Sequence, residues 1–130
     1  MFDSAETVDW PLPRGRAWMP TAIVEQLDLT GGGCELVAWD KLGNPILWMG
    51  SPGRTQPVIS TLLAIGSFAI TVTSPATPSA ETTLQGALMQ SQTSALAELA
   101  YAYQWDMFDS VGIPHPFLIG SVTSKGKELP

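Results

Sequence analysis

The run "PVISTLLAIGSFAITV" alternates large apolar residues with small or hydroxylated ones. It predicts two strands, Val58 to Ile65 and Phe68 to Ser74, joined by a two-residue turn at Gly66-Ser67. Pairing Ile65 with Phe68 gathers Leu63, Ile65, Phe68, Ile70 and Val72 on one face, which reads as core. The other face carries Leu62, Ala64, Ala69, Thr71 and Thr73, a chargeless surface that suits a partner better than water. Upstream, "CELVAWDKLGNPILWMG" predicts a hairpin of Glu35 to Asp40 and Pro45 to Gly50 around a turn at Gly43-Asn44, with Pro45 as the first residue of its strand. Trp39 and Trp48 fall near each other across that pair, so at least one belongs to the core. "AIVEQLDLTGGG" fits a short helix or a strand; the strand is preferred, ended by Thr30 and three glycines.

After Pro78 the pattern changes. Ser79 can cap a helix, and Leu84, Leu88, Ala95, Leu99 and Asp106 recur at nearly helical spacing, with Ala87, Leu96 and Ala102 widening the stripe. One helix over about 79–109 is expected, or two with a break at Ser91 to Ser94. "IPHPFLIGSVTS" then turns at Pro114 and Pro116 and predicts a closing strand from Phe117 to Thr123. The expected fold is mainly β (α+β): an antiparallel meander forming a sandwich or barrel, with one long or broken helix after the fifth strand. Residues 1–20 form an extended N-terminal arm, 21–124 the single β-rich domain, and 125–130 a C-terminal tail.

Composition sharpens this picture. A chain of 130 residues supports one domain with a real core. A formal net charge of −6 opposes attraction to nucleic acid or anionic membranes, so neither is an expected partner. Only 14% of residues are charged, against about 25% in an ordinary soluble domain. Between Arg54 and Glu81 no charged side chain occurs, yet the apolar run is too short and too often interrupted for a membrane-spanning helix. The start "MFDSAETVDW" lacks the basic and apolar regions of a signal peptide. A lone cysteine, Cys34, makes no internal disulfide and fits a reducing compartment. "MFDS" occurs at Met1 to Ser4 and again at Met107 to Ser110, without the periodicity of a repeat fold.

Candidate chemistry is sparse. His115 stands alone between two prolines, and Cys34 follows three glycines in a strand start that suits a buried small residue. Asp3, Glu6 and Asp9 are spaced by three, as are Asp106 and Asp109, without the alternation of a calcium loop. These acids read as solvated, with Asp106 and Asp109 able to pair with Arg14 or Arg16. The glycines of "TGGGCE" lack the lysine of a phosphate loop. No catalytic residue, cofactor or metal is expected. Of five tryptophans, Trp39, Trp48 and Trp105 read as core.

The other two sit in "DWPLPRGRAW". Pro11 and Pro13 forbid a helix interior or a central strand, so the segment runs extended over a surface. Its neighbours suit protein contact better than sugar stacking, and Trp10, Pro11, Pro13, Arg14, Arg16 and Trp18 are the expected subunit-interface residues. "PLPRGRAW" resembles a stretch near the start of tail-assembly proteins of Mu-like tailed phages. It covers Pro11 to Trp18 and carries over no functional residue; the acidic, leucine-rich helical region that follows in that family is absent here. The resemblance and the composition together imply a structural subunit of a symmetric assembly. Its setting would be a tailed-phage virion, as a capsid decoration or cementing protein or a tail or neck component. Its partners would be copies of itself and other virion proteins, assembled in the bacterial host cytoplasm. Two other readings remain: a carbohydrate- or receptor-binding β module, and a small hydrolase using Cys34 and His115.

Overall fold

A computed structural model describes residues 5–97 and 99–125. In chain order the elements are β1 (Glu6–Thr7), β2 (Trp10–Pro13), β3 (Thr21–Glu25), β4 (Gly33–Trp39), β5 (Pro45–Gly50), β6 (Ala64–Thr73), β7 (Glu81–Ala87), α1 (Gln90–Thr93), β8 (Ala100–Phe108) and β9 (Pro114–Lys125). All nine strands join one sheet in the order β1-β9-β8-β4-β5-β6-β7-β3, with β2 also on β9. The sheet is curled into a half-barrel whose inner face is the core.

The fold is mainly β, as the pattern implies, but it is not an antiparallel meander throughout. β5 and β6 run parallel, joined by the crossover 51–63, and β1 and β2 run parallel to β9. The β4–β5 hairpin forms as expected, with Gly43 at φ +84° supplying the left-handed turn position.

The expected turn at Gly66-Ser67 is absent. β6 runs straight through it, because Gly66 and Ser67 pair with Met49 and Gly50 of β5. Phe68, Ile70 and Val72 face inward and Ala69, Thr71 and Thr73 outward, as expected, but continuity of the strand turns Ala64 into the core and leaves Leu63 and Ile65 exposed.

The helix over 79–109 is replaced by β7, the four-residue α1 and β8. A spacing of four is common to periods 2 and 3.6, so Leu84 and Leu88 cannot tell strand from helix. Thr82, Leu84 and Gly86 alternate inward on β7, and Tyr101, Tyr103, Trp105 and Met107 do so on β8. Large aromatic residues at every second position fit a pleated, half-buried surface. The closing strand starts earlier than expected, at Pro114, opposite Phe108. Of the tail, Lys125 ends β9 and 126–130 lie outside the described residues.

The core is organised by Trp105, fully buried, whose ring meets Phe68 of β6 (centroids 4.9 Å), Phe117 of β9 (5.5 Å) and Trp10 of β2 (6.2 Å). β6 and β8 are separated in the sheet by β5 and β4, so this contact exists only because the sheet curls. Trp105→Ala should therefore lower stability by about 3–5 kcal/mol, read from the midpoint of urea unfolding at unchanged slope.

Candidate functional site

The proline-rich leader lies on the chain's own sheet. Val8 and Arg14 N–H groups bond to the Ile119 and Lys125 carbonyls, and β2 pairs with 122–125 of β9 between them. Even-numbered leader residues thus turn their backbone to β9, and odd ones turn it outward. Pro11 and Pro13 are odd, so the outer edge of β2 lacks the N–H groups a further strand would need.

Side chains fasten the leader. The Tyr103 hydroxyl donates to the Val8 carbonyl (2.6 Å) and accepts from Trp10 Nε1 (3.0 Å); burial holds its pKa above the ordinary phenol value, keeping it a donor. Leu12 and Trp18 are buried, and Trp10 meets Trp18 edge to face at 6.3 Å. Arg14 donates to the Leu96 carbonyl (2.6 Å) and the Ser94 carbonyl (3.4 Å), and Thr93 Oγ1 accepts from Gly15 N–H (3.1 Å). Gly120, at φ +145°, makes room for the strap: a Cβ there would stand 2.3 Å from the Val8 carbonyl oxygen.

Of the six expected interface residues, Trp18 is therefore buried, Trp10, Pro13 and Arg14 are half-buried, and Pro11 and Arg16 are exposed. Trp48 is buried over Gly50 and donates to Glu35 Oε2 (3.0 Å), and Trp39 is half-buried. Glu35 also meets Arg54 (3.5 Å), whose guanidinium lies 3.6 Å over the Phe108 ring. Among the described residues no tryptophan is fully exposed.

The end of the half-barrel carrying the 27–33, 51–54 and 108–115 loops is concave. Clefts of about 190, 560 and 190 Å³ adjoin Thr30 to Gly33. His115 Nε2 lies 3.1 Å from Asp109 Oδ2 beside the first. Asp109 Oδ1 accepts the Ile113 and Val111 N–H groups, and these bonds, Ile113 foremost, with His115, hold its pKa below the usual carboxylate value. Asp109 caps its own turn and is not paired with Arg14 or Arg16. Asp106 accepts from Gln104 (2.8 Å), and Asp9 from the Ser121 N–H (3.0 Å). Asp3 and the first "MFDS" lie outside the described residues.

The structure does not bring Cys34 and His115 together. Cys34 pairs with Met107 and Met107 with His115, so two strand spacings, about 9–10 Å, separate them with a methionine between. Cys34 is fully buried, and desolvation pushes its thiol from 9.0 to about 12. Among the described residues, no group of three His, Cys, Asp or Glu is placed to hold a metal, and no helix is long and apolar enough to cross a membrane.

The remaining surface feature is the outward face of β6, β7 and β3. Register places Ala69, Gln85 and Thr21 in one row and Thr71, Thr83 and Ile23 in the next. Apart from Glu25 and Glu81 at one end the face carries no charge, and Ile23 is 60% exposed. β3 is the sheet's open edge and contains neither proline nor lysine. The sequence pattern shows the Ala69, Thr71 and Thr73 part; the contributions of β7 and β3 come from pairing over long separations. No protein-family model matches the chain, and no curated protein matches it in sequence.

Two outcomes follow. Gly120→Ala should destabilise the protein by more than about 1 kcal/mol and hasten proteolysis within the leader. The Cys34 thiol should stay silent to alkylation until the chain unfolds. Because its folded pKa is raised, its contribution to stability is present below pH 9.0 and is lost as pH rises toward about 12. An alkaline unfolding series of wild type against Cys34→Ala measures that loss.

Proposed function

We propose that this chain is a structural subunit that works by contact between copies rather than by chemistry. The observation that carries the reading is the outward face of β6, β7 and β3, charged only at Glu25 and Glu81 at one end, which finishes in an edge strand without proline or lysine. Solitary soluble domains normally break such faces with charges and blunt such edges with lysine or proline. Here the opposite edge is blunted by Pro11 and Pro13 while this one is left open.

The asymmetry supports a subunit that meets its neighbours along one flank. Within the leader, Pro11 and Arg16 are the residues exposed enough to join such contacts. A tailed-phage virion is the proposed setting, supported by the resemblance of Pro11 to Trp18 to tail-assembly proteins and by the low charge content.

Sedimentation across a concentration series should give a mass that is a multiple of the chain. The double variant Ile23→Lys, Thr71→Lys sets two like charges on exposed positions of one row. It should change folding stability by no more than about 0.5 kcal/mol while dissociating the assembly. A wild-type chain that stays monomeric at millimolar concentration would sink the proposal.

A further inference from the structure

Resting on the self-assembly reading, we infer that one copy donates the loop segment Thr55–Ile59 as a strand into a slot beside β6 of another. The slot arises from unequal strand lengths. β5 pairs with β6 only over Leu47–Gly50 and Ala64–Ser67, whereas β6 continues to Thr73. Ser51 is still held to β4 through its N–H on the Cys34 carbonyl; beyond it Pro52 has no N–H to offer and the Arg54 N–H closes a turn on the Ser51 carbonyl.

The direction of the stranded backbone groups follows from register. The Gly86 N–H bonds to the Pro20 carbonyl and the Ala80 carbonyl accepts from Leu27, so even positions of β7 face β3 and odd ones face β6. In the antiparallel β6–β7 pair, Ala69, Thr71 and Thr73 then bond to β7, and Phe68, Ile70 and Val72 turn their N–H and C=O groups to the other side. Among the described residues no hydrogen bond reaches the Ile70 or Val72 backbone there.

That side is the 560 Å³ cleft, bounded opposite β6 by Thr30 to Gly32, which precede β4. β4 and β6 flank β5 at two strand spacings, about 9–10 Å, where β5 ends, and the turn Leu29–Gly32 bounds the cleft beyond it. No charged residue lines it. A row of unmet N–H and C=O groups at strand spacing is matched by extended polypeptide, with main-chain bonds supplying affinity.

The same chain exposes a segment of that kind. Thr55 to Val58 lie outside every strand and make no backbone hydrogen bond among the described residues, and Val58 is 101% exposed. The segment is uncharged like the slot. Placing Gln56 and Val58 with their backbones toward β6 turns Pro57, which lacks an N–H, to the opposite wall, so the proline is accommodated.

The test follows amide hydrogen exchange at Ile70 and Val72 in the full chain over a concentration series, with Val58→Asp and Val58→Thr alongside. In wild type both amides should exchange roughly tenfold more slowly once copies associate. Val58→Asp, at a fully exposed site, should keep the monomer fold, lose that protection and weaken association about tenfold, while Val58→Thr retains both. Protection independent of concentration, or an assembly that persists unchanged in Val58→Asp, overturns strand donation and leaves self-assembly standing. Protection conferred only by an unrelated uncharged peptide overturns it too and assigns the slot to a foreign strand. A wild-type chain monomeric throughout overturns both readings.

Discussion

The aromatic contact centred on Trp105 holds this fold in its curled form. Its ring touches residues from β6 and from the paired strands β2 and β9, which lie far from β6 in the sheet order. A flat sheet would leave those faces exposed. Closing it around one large indole buries them together and excludes water from a core that also holds Trp18, two tyrosines, two methionines, Cys34 and aliphatic side chains. With Cys34 free and buried, no covalent link assists this closure.

Closure is also what recruits the leader. Once β9 is wrapped against β8, its outer edge would be exposed, and the N-terminal segment covers it in parallel, held by the Tyr103 hydroxyl between Val8 and Trp10. Gly120 permits the close approach, and the two prolines end the sheet on that side by withholding donors. One segment thus fills the core with Leu12 and Trp18 and terminates an edge with Pro11 and Pro13.

Nothing comparable ends the other flank. Among the described residues β3 has no strand on its outer edge, the adjoining outward face carries charge only at Glu25 and Glu81, and β6 overshoots β5 so that the Ile70 and Val72 backbones find no protein partner there. A polypeptide tolerates one such feature as a local irregularity. Several features of one kind on one side have a common physical consequence, because each can be covered by another strand or another apolar surface.

Local pattern by itself determined the β4–β5 hairpin, the strand at 21–25, the inward set Phe68, Ile70 and Val72, the burial of Cys34 and the low charge of the surface. Each depends on residues within a few positions of one another, where side-chain period and turn chemistry operate. It did not separate strand from helix at Leu84 and Leu88, whose spacing satisfies both periods, nor reveal that Gly66-Ser67 continues a strand, which depends on pairing with β5. Only the tertiary structure decided that the leader packs on its own β9, that Trp105 is the hub, and that β6 is left half unpaired. Those outcomes depend on which strands become neighbours, and that choice is made by burial across the curled interior between residues up to about a hundred positions apart, as with Trp10 and Tyr103.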